Sequence, residues 1–197
     1  MKDLLTGAVV GCALSIAAFC AAAGDFEDAV AAHKKGDYAT ALRLLTPLAE
    51  QGNADAQYKL GGMYEQGQGV TKDEAEAVKW YRKAAEQNDA EAQCNLGLAY
   101  ATGQGVARDE AEAVKWFRKA AEQNDALAQN NLGSMYARGQ GVIKDPVQAH
   151  AWFTVARANG YEDAQKALAR NEKGMTSKQK TEAAKLAREL LKKTNRR

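Results

Sequence analysis

A 36-residue period limits what this chain can fold into: AQYKLGGMYEQGQGVTKDEAEAVKWYRKAAEQNDAE, residues 56–91, restarts almost letter for letter at Ala92 and more loosely at Ala128. A fixed period of about 20 to 50 residues belongs to solenoids, whose units bury apolar surface only by stacking on one another. Each period holds two stretches of helical spacing, so the expected fold is all-α: a solenoid of two-helix units. Composition supports this. The 197 residues include only two prolines, and they are rich in Ala, Glu, Lys and Gln, which lose little side-chain freedom in a helix.

Within a unit, a first helix is expected from about Ala56 to Gln66, with Leu60, Met63 and Tyr64 on one face and their copies Leu96, Ala99, Tyr100 and Leu132, Met135, Tyr136. Gly61, Gly97 and Gly133 recur in mid-helix, where glycine costs about 1 kcal/mol relative to alanine, so a close helix approach is expected there. Gly67-Gln68-Gly69-Val70 and its copies should end the helix and seat a valine in the core. No strand precedes this loop and no Gly-Lys-Ser/Thr follows, which argues against phosphate binding. A second helix opens on Asp73 with Glu76, Asp109 with Glu112 and Asp145 with Gln148, each spaced as a reciprocal cap. Its face Ala77, Trp80, Tyr81, Ala84, Ala85 places Trp80, Trp116 and Trp152 in one column, expected in the core rather than as a ligand platform.

The period frays at both ends. Residues 24–55 read as a shorter helix pair with Pro47 in its second helix, where a bend is expected. Residues 56–91, 92–127 and 128–163 are the full units. Residues 164–197 read as a last first-type helix and a basic capping helix opened by Thr176 and Gln179. Residues 1–23, with Lys2, an apolar run from Leu4 to Phe19 and an Ala-x-Ala ending at Ala23, read as a secretory signal cleaved before Gly24. An exported protein, periplasmic or secreted, is therefore expected. An uncleaved inner-membrane anchor, or lipidation at the lipobox-like Val9-Val10-Gly11-Cys12, are the alternatives. Cleavage leaves Cys94 as the sole cysteine of the mature chain, so packing rather than disulfides must hold it. Cys94 is expected half-buried, because its column holds Tyr58 and Asn130 in the other units.

Charge is unevenly spread. Residues 166–197 carry 11 Lys/Arg against 3 Asp/Glu, whereas residues 1–165 carry 16 against 22. The tail, residues 174–197, is thus either a solvated cap or a contact for an anionic membrane surface. Catalytic constellations are absent from the pattern. His33 and His150 lie in different units and the carboxylates occupy cap positions, so no catalytic residue, metal ligand or cofactor is expected.

The recurring A-Q-x-x-L-G-x-x-Y-x-x-G-Q-G-V-x-x-D-x-x-x-A-x-x-W-[YF], followed by A-A-E-Q-N, resembles the Sel1-like repeat family, a relative of the tetratricopeptide repeat. The resemblance spans about residues 25–190. It implies a right-handed superhelix of antiparallel helix pairs whose first helices line a concave surface that binds proteins or peptides. For cysteine-rich relatives it also implies binding or slow hydrolysis of β-lactams. The present chain lacks their paired cysteines, and Ser177-Lys178-Gln179-Lys180 spells Ser-x-x-Lys without its usual companions.

A repeat protein keeps its packing columns and varies its binding columns. The first-helix positions at which the copies disagree give the candidate partner-binding residues Tyr58, Lys59, Asn95, Leu98, Asn130, Asn131, Ser134 and Arg138. Asparagine amides can donate to and accept from a peptide backbone, and Lys59 or Arg138 can meet a carboxylate. The expectation is a monomeric, non-enzymatic module for a protein or peptide partner, not for nucleic acid. The competing readings are attachment to the cell envelope through the tail and weak β-lactam chemistry.

Overall fold

A computed structural model describes residues 24–194; the expected signal segment, residues 1–23, lies outside them. Residues 24–34 form α1. They are followed by α2 (Tyr38–Glu50), α3 (Ala54–Gln66), α4 (Glu74–Glu86), α5 (Ala90–Thr102), α6 (Glu110–Glu122), α7 (Ala126–Arg138), α8 (Pro146–Ala158), α9 (Ala164–Glu172) and α10 (Ser177–Thr194). The described residues contain no strand, and the architecture is an α-solenoid. The odd-numbered helices are the first helices of the pairs, and α2, α4, α6 and α8 are the second. Pro47 lies inside α2.

The caps explain why the period breaks into helices where it does. Asn53, Asp89 and Asp125 accept from the N–H groups of Ala56, Ala92 and Ala128 at 2.8, 2.7 and 2.6 Å, opening α3, α5 and α7. Gly67, Gly103 and Gly139 close them in the left-handed region. At the second helices the reciprocal cap is only half realised. Asp73 and Asp109 accept from the N–H of Glu76 and Glu112, but their own N–H groups donate to the carbonyls of Tyr64 and Tyr100, both at 2.9 Å. These bonds close the inter-helix loop, which leaves Glu76 and Glu112 to pair with Lys79 and Lys115 instead.

Packing follows the columns. A Cβ added at Gly61, Gly97 or Gly133 would fall 2.7, 2.7 or 2.8 Å from the ring of Tyr81, Phe117 or Phe153, so these glycines set the approach of the two helices within a pair. The second loop glycine sets the spacing between pairs: a Cβ at Gly105 would sit 2.1 Å from the Glu74 carbonyl oxygen, and one at Gly141 2.2 Å from that of Glu110. Trp80, Trp116 and Trp152 are buried, and the ammonium groups of Lys83 and Lys119 lie 3.8 and 4.1 Å from the ring centroids of the first two. All three indole Nε1 atoms lack a hydrogen-bond partner, so the column acts through packing and lysine stacking.

A buried glutamine joins successive pairs. Gln57, Gln93 and Gln129 donate to the carbonyls of Ala49, Ala85 and Ala121 at 2.9, 3.0 and 3.0 Å. Their side-chain oxygens accept from Gln87, Gln123 and Asn159, which end the following second helices. Each link thus ties three consecutive helices together.

The stack ends in a helix that leaves the pattern. Asp163 makes no side-chain cap to α9; it pairs with Lys166 at 3.0 Å instead. Thr176 and Gln179 form the expected reciprocal cap of α10. Instead of pairing with α9, α10 lies along α8. Ala187, with Leu186, Leu190 and Leu191, packs into the core around Trp152 and Val155. Its end reaches back to the turn after α6, where Lys193 pairs with Glu122 at 3.0 Å and Asn124 donates to the Thr194 carbonyl at 3.0 Å.

Candidate binding groove

The variable residues of the first helices line a chain of cavities running along one face of the stack. The first, of about 160 Å³, lies against α1, α3 and α5 and includes His33, Tyr58, Lys59 and Asn95. It shares Glu65, Tyr81 and Asn95 with a second of about 140 Å³. The second shares Leu98 and Thr102 with a third of about 200 Å³, in whose wall Asn131 lies. The third shares Ser134 and Arg138 with a fourth of about 380 Å³, floored by Phe153 and bounded by α9. Shared walls make the four cavities one groove.

Tyr58, Lys59, Asn95, Leu98, Asn131, Ser134 and Arg138 all line this groove. Asn130 lines none of the four cavities. Its column turns inward in the middle unit: Cys94, expected half-buried, is only 2% exposed and packs among Val114, Phe117 and Leu132. Burial raises the Cys94 thiol well above its ordinary range, and the nearby Asp125 carboxyl adds to the shift, so the thiol stays protonated and inert.

Several polar side chains of the helices line the groove. Tyr81 donates to Glu65 at 2.9 Å, and burial first, then the Glu65 charge, pushes its hydroxyl up and keeps it a donor. Tyr58 leans on Tyr81, with ring centroids 5.9 Å apart. Nδ2 of Asn131 is buried without a hydrogen-bond partner, a state that costs about 1–3 kcal/mol unless a ligand or solvent group relieves it. His33 is bonded to Gln68 at 2.7 Å. His150 lies away from the groove walls and pairs with Glu172 at 2.9 Å, which holds that carboxyl below its usual value. Among the described residues no three His, Cys, Asp or Glu side chains gather as metal ligands would.

Sequence reasoning missed Glu74, Glu110, Lys144 and Arg170, which also line the groove. Glu74, Glu110 and Lys144 belong to the second-helix start and the loop, outside the first-helix columns, and Arg170 sits in the degenerate last copy. The signal was present, since Arg170 continues the varying column Leu98, Ser134.

A family profile described as Sel1 repeat matches residues 32–53, 54–89, 90–125 and 126–161. Among solved structures, a Sel1 repeat protein from Oxalobacter formigenes is similar, with 38% identity and a TM-score of 0.69 over 73% of this chain and 59% of that one. A protective antigen of uropathogenic Escherichia coli, c5321, described as displaying an SLR fold, shares 36% identity at a TM-score of 0.53, over 79% of this chain and 41% of its own length. The cysteine rich protein B of Helicobacter pylori shares 26% identity at a TM-score of 0.54, over 67% of this chain and 95% of that one. The chain therefore spans less than two thirds of the first two. No curated protein matches it. With the repeat profile covering most of the described stack and solved relatives sharing its helix pairs, the chain belongs to the Sel1 repeat family.

Proposed function

We propose that this chain is an exported, non-enzymatic module that captures an extended protein or peptide segment along the first-helix groove. One observation carries the reading: seven of the eight candidate positions, all but Asn130, line one continuous run of cavities. The unpartnered Nδ2 of Asn131 supports it, since a backbone carbonyl of a bound segment would satisfy that donor. The Sel1 repeat fold is commonly a protein-interaction module, which agrees with this role.

A second reading, attachment to an anionic envelope surface, draws support from the outward face of α10, where Lys178, Lys185, Arg188 and Lys192 are exposed. Deleting α10 would uncover Trp152, so charge substitutions on its outer face give the cleaner comparison. In a pull-down from envelope extract, N95A/N131A/R138A should lose the partner while K178Q/K185Q/R188Q/K192Q retains it. Loss only in the α10 variant would overturn the groove reading and favour the second. Export has its own test: the purified mature chain should begin at Gly24 by mass, whereas retention of residues 1–23, or a lipid on Cys12, would replace export by anchoring.

A further inference from the structure

The groove changes sign along its length. Lys72 pairs with Glu74 at 2.9 Å, and one period on Arg108 pairs with Glu110. A further period on, Lys144 remains but the glutamate has become Pro146, so the repeated ion pair is broken. The largest of the four groove cavities lies at this break and is rimmed by Lys144, Arg138 and Arg170. No carboxylate among the described residues pairs with any of these three cations. Towards the opposite end, the second cavity, between α3 and α5, has Glu65 and Glu74 in its wall and no Lys or Arg, and the first cavity beyond it sets Lys59 beside Glu65. The middle cavity carries one charge of each sign, Glu110 and Arg138.

Resting on the groove reading above, we infer that this polarity selects an extended segment of another protein with segregated charges: acidic residues lie in the α7–α9 cavity and basic residues face Glu65 and Glu74. The apolar floor of the terminal cavity, Phe153 with Ala137 and Ala167, takes an aliphatic side chain beside the acidic group. Charge complementarity of this kind sets register and direction more than affinity, because exposed pairs are individually weak and screened by salt. Asn95 and Asn131, which carry no charge, hold the segment whichever way its charges run; the acidic second cavity and the cationic terminal cavity decide the direction.

The test is a phage-displayed library of random peptides of about a dozen residues, an extended span of roughly 40 Å, selected on residues 24–197. Synthetic winners are then titrated against the wild type, N95A/N131A and K144E/R170E, each checked for an unchanged melting curve. Winners should carry acidic residues towards one end and basic residues towards the other. K144E/R170E should weaken them about tenfold at low ionic strength, with the difference shrinking as salt is added. Exchanging the acidic residues of a winner for lysines should restore binding to that variant. Winners that need Asn95 and Asn131, but show no charge segregation and ignore K144E/R170E, would overturn the polarity and leave the groove reading standing. Winners indifferent to every groove substitution would overturn both. Uniformly acidic winners would overturn the segregated segment in favour of a general polyanion site.

Discussion

Two glycines of one loop do different work, and their substitution separates geometry from propensity. Gly103 ends α5 in the left-handed region, with only the Cβ of Arg108 at 3.3 Å to crowd an added methyl. Gly105 is also left-handed, but its Cβ would sit 2.1 Å from backbone of the preceding pair. Gly103→Ala should therefore cost about 1 kcal/mol, and Gly105→Ala about 3 kcal/mol or more, because strain and overpacking add; urea unfolding of the two variants checks the order. In the sequence the two positions look alike, since both recur and both suit a turn. The mid-helix Gly61 column was legible because a costly residue kept three times in a helix implies a neighbour. Gln57, Gln93 and Gln129 also recur, as the glutamine of the A-Q-x-x-L-G motif, but as polar residues outside the apolar period they suggested no packing role. Cys94 was placed too near the surface because its copies, Tyr58 and Asn130, are polar.

Asp125 offers a second residue-scale prediction. Burial raises its carboxyl above the usual value, against the lowering by the Ala128 N–H it caps. The folded state then holds more protons than the unfolded one between the ordinary and the raised value, so stability falls as pH climbs through that window and the penalty is complete above it. Asn53 already caps α3 without a charge. Asp125→Asn should accordingly keep the cap, melt at the same or a higher temperature at neutral pH, and flatten the pH dependence above about pH 4. A clear drop in melting temperature at neutral pH would contradict the assignment.

Among the elements, α10 departs furthest from the repeat. Its existence could be read from the Thr176–Gln179 cap and the apolar spacing that follows. Its direction could not, because the Lys193–Glu122 contact joins residues far apart in sequence and no period encodes it. By folding along α8, α10 supplies the cover that a further pair would have given Trp152 and Val155. Ending the chain at Gly174 should lower stability by about 3 kcal/mol or more, since two large side chains lose their cover, and should shift tryptophan emission to the red. Unchanged emission and an unchanged urea midpoint would mean that α10 is an appendage.

For the whole molecule, the repeat divides its residues between two tasks. Columns that agree between copies mostly hold the helices together, and most of the first-helix positions that disagree line the groove, the column of Cys94 and Asn130 being the exception. Most of this division was visible in one sequence, because the chain carries its own internal comparison at three successive registers. The broken Lys-Glu pair at Pro146 and the enlarged terminal cavity were not, since the pair joins a loop to a second helix, outside the first-helix columns, and the cavity opens where α9 loses its glycine and tyrosine columns. The most direct measurement is amide chemical-shift mapping of residues 24–197, titrated with the captured partner segment. The largest changes should fall on Asn95, Leu98, Asn131, Ser134, Arg138 and Arg170. Changes concentrated on Lys178, Lys185, Arg188 and Lys192, with the first-helix amides unmoved, would contradict the groove and move recognition to the terminal helix.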